Sequence, residues 1–291
     1  MEIIFYAILI LWYFIFLLFS VHLYISHYKK HEVSFKEQYL EKIPSNINLP
    51  NLSMLLYHKI DYSLFIATIY FLIYKKTLKF QTISGETYLV LTSEKIKLSR
   101  SQESVVLFLI RIIGDGKMVS IKSIKDYSNN SYDKSDFIFN YQMWLKESQK
   151  ETSWKGYYEE IDCYQAASYI SYLSVALALV NTFLKTYMIL GYLPLILTGI
   201  QMFLFFKIAR RTKDSEQEYF KWQAFKSHLA DHNLKNTENT ELYIIYGLLL
   251  RINVIDKVNV KNKREMSTLY DAIYECLSKT RLNKEKNVLF D

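Results

Sequence analysis

Residues 166–208 are almost unbroken in apolar character, and this stretch constrains the chain more than any other. As one helix it would run about 64 Å at 1.5 Å per residue, against a bilayer core of about 30 Å, so it is expected to fold back and cross twice. The break falls at Asn181-Thr182-Phe183-Leu184-Lys185-Thr186, because a lysine is costly at mid-bilayer and comfortable in a turn. Spans are therefore expected over residues 166–184 and 187–207. In the first of them Ala167, Ser171, Ser174 and Ala178 recur at spacings of four and three, which predicts a stripe of small side chains for helix packing in lipid.

A third apolar run covers residues 3–25, with Glu2 before it and Lys29-Lys30 after it. It lacks the positive leader and small-residue cleavage site of a signal peptide, so it reads as a retained anchor. Lys29, Lys30, Arg210, Arg211 and Lys213 flank the apolar runs, and such residues stay on the cytoplasmic side. The expected topology is a multi-pass cell-membrane protein, amino terminus outside and carboxyl terminus cytoplasmic.

Hydrophobic residues make up 51% of the 291, aromatics 16%, with only seven glycines and three prolines, a balance that favours helices over sheet or disorder. The net charge of +7 fits juxtamembrane lysines facing an anionic leaflet as well as it fits nucleic acid. Cys163 and Cys276 have no motif spacing and read as reduced and structural.

Between the anchor and the hairpin, residues 61–74 are apolar but too short to span, and predict a buried helix entered through Asp61. Residues 78–83 and 87–92 read as strands joined by Ser84-Gly85-Glu86, a hairpin signal. A helix is expected to open at Ser101-Gln102-Glu103-Ser104 and to stop at Gly114-Asp115-Gly116. Residues 118–121 predict a further strand, and 133–150 a helix with Phe137, Tyr141, Trp144 and Leu145 at helical spacing. Helices and a hairpin in this order suggest a winged-helix-like domain. Direct DNA readout needs polar side chains on an outward helix face, and the 101–113 helix offers only Gln102 and Arg111.

After the hairpin, Ser215-Glu216-Gln217-Glu218 reads as a capping box opening a helix with Tyr219, Trp222, Phe225 and Leu229 on one face. Residues 241–252 and 266–277 predict two more helices, and 278–291 a loose tail. The expected organisation is an anchor over 1–26, a winged-helix-like α+β domain over 27–165, a transmembrane hairpin over 166–208 and a helical domain with its tail over 209–291. The fold class is thus a mainly α membrane protein with three transmembrane helices, the two polar blocks being cytoplasmic.

His228 and His232, in His-Leu-Ala-Asp-His, stand one helical turn apart and with Asp231 are the candidate metal ligands. The glutamate that a zincin carries directly after its first histidine is leucine here, Leu229. No phosphate-cradling glycine loop, serine elbow or CxxC pair occurs, so no catalytic or cofactor-binding residue is assigned.

Ile60-Asp61 followed by Ile66-Ala67-Thr68-Ile69-Tyr70-Phe71-Leu72-Ile73, the apolar hairpin, Arg211-Thr212, Glu218, Trp222, Phe225, Leu229, and Glu241-Leu242-Tyr243-Ile244-Ile245-Tyr246-Gly247-Leu248-Leu249-Leu250 together carry a resemblance. Over residues 45–255 the chain resembles the carboxyl-terminal half of the bacterial predicted membrane proteins grouped as domain of unknown function 2207. Members usually carry a large extracytoplasmic β-rich domain before the first anchor, which is not expected here, and Arg251 falls where their pattern usually has glycine. The resemblance implies a fold and no activity.

These readings converge on a non-enzymatic bacterial membrane protein whose partners are the bilayer and either a protein or a second copy of itself. The alternatives are a membrane-tethered metal-dependent enzyme using His228 and His232, and a membrane-anchored winged-helix regulator.

Overall fold

Asp61 accepts a hydrogen bond from the Ser63 amide at 3.0 Å and so caps the most apolar described helix of the chain. The computed structural model describes residues 34–92, 96–129, 131–153, 156–158, 211–232, 234 and 239–282, with scattered positions between 4 and 22 and between 172 and 199. Helix α1 (Leu49–Tyr57) is capped by the Asn48 side chain and ends on His58 in the left-handed conformation. Helix α2 (Tyr62–Tyr74) buries Leu64, Phe65, Ile66, Ala67, Ile69, Tyr70 and Leu72 and is surrounded by the other elements. Its polar atoms are satisfied locally or across the core: Thr68 donates to the Leu64 carbonyl, and the Tyr70 hydroxyl to the Met266 carbonyl at 2.5 Å.

Strands β1 (Leu78–Ile83) and β2 (Glu86–Leu91) form the hairpin that the sequence predicts. Ile83 pairs with Glu86, and Ser84 and Gly85 turn the chain with φ of 52° and 82°. Positive φ at both turn residues matches the twist of the flanking strands. Helix α3 (Arg100–Val106) begins with a capping box between Ser99 and Gln102, two residues earlier than expected, while Ser101 binds the Glu151 carboxylate. It widens into a π-helical segment over Leu107–Ile113 and stops at Gly114. Strand β3 (Met118–Ser120) then pairs antiparallel with β2, giving the order β1-β2-β3.

The short α4 (Ile121–Asp126) leads to α5 (Ser131–Lys150). Beyond residue 210 come α6 (Lys213–Asp231), α7 (Thr240–Leu249) and α8 (Lys263–Lys279). Helix α7 packs along α2, and α8 lies on α4, where the Cys276 thiol donates to the Ile124 carbonyl. Residues 35–48 run across α6: the Leu40 amide donates to the Ala224 carbonyl, and Ser45 donates to Glu218. Glu218 also accepts from the Trp222 indole at 3.1 Å, and the capping box predicted from Ser215 is not formed, because the helix begins at Lys213 and the Ser215 amide, inside it, donates to the Thr212 hydroxyl.

By backbone proximity the chain divides into two compact units, residues 1–34 with 155–216 and residues 35–154 with 217–291. All of the core just described up to α5, and α6 from Gln217 on, belongs to the second. In the first, Tyr158 and Arg211 form an isolated antiparallel bridge, and Ile4, Leu11, Phe14, Leu18 and Tyr172 are exposed in helical conformation.

The expected fold class is corrected in two respects. Among the described residues no helix is long and apolar enough to cross a membrane. Helix α2 is apolar but has 13 residues, about 20 Å of rise against a core of about 30 Å, and α5 has the length but carries charge throughout. The three expected spans, and the stripe of Ala167, Ser171, Ser174 and Ala178, fall on stretches outside the described residues or described only at scattered positions. The winged-helix reading also fails. The hairpin precedes the α3 helix and the third strand extends the same small sheet, while Phe108, Leu109 and Ile110 turn that helix into the core rather than outward.

Candidate functional site

Helix α5 carries two seams. Phe137, Tyr141, Trp144 and Ser148 face inward at spacings of four, three and four, and are buried. Phe65 meets Trp144 edge-on at 4.9 Å and Tyr141 at 5.4 Å, and Phe108 meets Phe137 at 5.1 Å. Such edge-to-face pairs add to the gain from burial alone. The opposite face repeats the same spacing with Tyr132, Asp136, Phe139, Met143, Lys146 and Lys150. Tyr132 is 81% exposed, Phe139 59% and Met143 44%. Side chains three and four apart on a helix line one stripe, so these form an apolar strip with an acid near one end and two lysines at the other.

Asp136 is held in place by Tyr127, whose hydroxyl donates to it at 2.5 Å. Burial, and then that bond, push the Tyr127 phenol up, so it stays a donor across the physiological range. Lys150 pairs with Glu147 at 2.6 Å on the exposed surface, a contact of small energy. Reading from the sequence found the inner seam and passed over the outer one. The missed signal was a second run of the same three-and-four spacing, partly hidden by the charged residues within it.

His228 and His232 do stand together, their rings stacked 4.6 Å apart, with Tyr39 edge-on to His232 at 5.1 Å. Asp231 is engaged by the Tyr39 hydroxyl at 3.2 Å. Among the described residues no group of three or more His, Cys, Asp and Glu side chains is arranged to hold a metal ion. His228 is buried, and among the described residues its Nδ1 has no hydrogen-bond partner. Burial first, then His232, lower its pKa, with Glu41 acting in the opposite sense.

A histidine with a depressed folded pKa takes its proton more readily in the unfolded chain. Its contribution is therefore intact above its ordinary value of about 6.5 and is lost as the pH falls through the folded value. Urea midpoints are expected to drop between pH 7.5 and 5.5, and His228→Phe is expected to flatten that slope. An unchanged slope would remove His228 as its source.

At the end of α7 the chain turns through Arg251, whose φ is 62°. The Ile252 amide donates to the Gly247 carbonyl and the Arg251 amide to the Leu248 carbonyl, the pattern of a helix end that glycine ordinarily occupies. Arg251 is held there by an ion pair with Asp61 at 2.5 Å and by its guanidinium lying 4.2 Å from the centre of the Tyr57 ring. One side chain thus ties the caps of α2 and α7 together, which explains how a non-glycine residue occupies that position.

With this arrangement in place, the chain matches the family described as "Predicted membrane protein (DUF2207) C-terminal domain" over residues 36–250, well over half of its length. The chain belongs to this family. The resemblance drawn from Asp61, the 66–73 run, Glu218, Trp222 and the 241–250 run is thereby borne out. No curated protein and no solved structure matches the chain. This DUF2207 member is accordingly assigned to the membrane by its family, and the family carries no known activity. The matched span runs from just before α1 to the end of α7. Helix α8 lies beyond it yet completes the same core through Met266, Leu269, Ile273 and Leu277.

Proposed function

We propose that this DUF2207 member is a non-enzymatic, membrane-held interaction module that docks a protein on the outer seam of α5, with the unit carrying α5 on the cytoplasmic side. The observation behind the docking face is the second seam itself. Helix α5 has already filled its inward face, and among the described residues Tyr132, Phe139 and Met143 stay exposed on the other side, so a docked partner would take them out of water. Burying the part of Phe139 and of Met143 that is still exposed is worth about 1–2 kcal/mol each. The cytoplasmic orientation is supported by Lys29-Lys30 and Arg210-Arg211 beside the apolar runs. The exposed apolar side chains of the other unit support contact with lipid.

A photo-crosslinking amino acid replacing Phe139 in the full chain, in its own membranes, is expected to give a discrete protein adduct. Adding Met143→Asp is expected to cut that adduct at least tenfold while shifting stability by no more than about 0.5 kcal/mol, because Met143 faces outward. A surface that yields only lipid adducts, or none, would remove the docking reading.

A further inference from the structure

Resting on that docking reading, we infer that the occupant of the outer seam is a second copy of this chain, its α5 running antiparallel to the first. The register follows from the residues. Tyr132, Asp136, Phe139, Met143, Lys146 and Lys150 are symmetric about position 141, so a twofold axis at that level sets Phe139 against Met143, Asp136 against Lys146 and Tyr132 against Lys150 of the other copy. In an antiparallel helix pair, residues at these alternating three-and-four positions meet in layers, each of one copy beside its counterpart of the other.

Every layer is then complementary. The two central layers are apolar, the next two pair a carboxylate with an ammonium, and the outermost place a lysine on an aromatic ring. A parallel pair in register would instead oppose Asp136 to Asp136 and Lys146 to Lys146, which is unfavourable at every charged layer. The self-complementarity lies within one helix and needs no rearrangement of the core, because none of the six side chains belongs to the inner seam.

A single helix pair about 30 Å long buries less than the 1,200–2,000 Å² of a standard stable interface. Free in solution such a pair would be weak. Confinement to one membrane raises the effective concentration of each copy for the other, and a short seam then suffices.

The test uses the full chain with Cys163→Ser, in membranes, as two differently tagged copies, one with Tyr132→Cys and one with Lys150→Cys. Mild oxidation is expected to give the mixed 132–150 disulfide at least tenfold over either like-with-like product, since like positions are separated by about 27 Å along the seam. Adding Lys146→Glu to both copies is expected to lower the yield severalfold. Mixing a Lys146→Glu copy with an Asp136→Lys copy is expected to restore it, because both charged layers are then opposite in sign again. The cysteine pair leaves Asp136 and Tyr127 untouched, so the register test stands even where Asp136→Lys destabilises the fold.

Dominant like-with-like disulfides, or none, overturn the antiparallel pair. Photo-adducts to a different protein at position 139 without the mixed disulfide overturn the second copy and leave the docking face intact. Absence of both overturns the two together.

Discussion

Trp222→Ala is expected to lower the stability of its unit by about 3–5 kcal/mol, the cost of emptying a large aromatic site in a core that cannot collapse onto it. Trp222 is fully buried, its ring lies 5.1 Å from Tyr246 on α7 and 5.7 Å from Phe225, and its indole N–H donates to Glu218. The truncation therefore leaves a cavity between α6 and α7 and also removes the donor that helps hold a half-buried carboxylate. For a unit of this size the loss corresponds to a fall in melting temperature of roughly 6–20 °C. Trp222→Phe keeps most of the volume and is expected to cost clearly less. Thermal melts followed by near-ultraviolet circular dichroism measure both, and a shift under about 2 °C for the alanine variant would mean the α6–α7 packing is not the anchor described here.

The second large effect is expected at Gly114. A Cβ built there collides with the backbone carbonyls of Met118 and Ile110, both rigidly placed because the Asp115 amide donates to the Met118 carbonyl and the Gly116 amide to that of Ile110. Neither can swing aside as a flexible side chain would. Gly114→Ala is expected to cost about 3 kcal/mol, at the upper end of overpacking penalties. Gly85 is the control, with open space around it and only the left-handed backbone to resist substitution, so Gly85→Ala is expected to cost about 1–2 kcal/mol. Urea denaturation of the two variants decides the order, and a larger loss at Gly85 would refute the steric account of Gly114.

Features written in local chemistry were legible from residues alone. Asp61 before an apolar run announced the α2 cap, Ser84-Gly85 the hairpin, and the aromatic spacing of α5 and α6 their inward faces. Each depends on backbone preferences or on periodicity within a dozen residues, which no distant contact has to supply. Misread features were those with competing partners. Ser101 looked like a cap but answers to Glu151, fifty residues away, and Glu218 looked like half of a capping box but is claimed by Trp222 and Ser45. The winged helix failed because strand order and the facing of a helix are decided by packing, not by the order of elements along the chain.

By itself the sequence determined the family, the helical character and the places where short-range caps and turns start and stop the elements, because those rest on side chains acting on their own backbone. Tertiary structure alone decided that the second seam of α5 stays exposed, which carboxylate Arg251 meets and why a non-glycine residue stands in a left-handed turn there. The reason is that burial and pairing are properties of what other segments bring to a residue, and a repeating pattern on one helix looks the same whether the core or the solvent lies beside it.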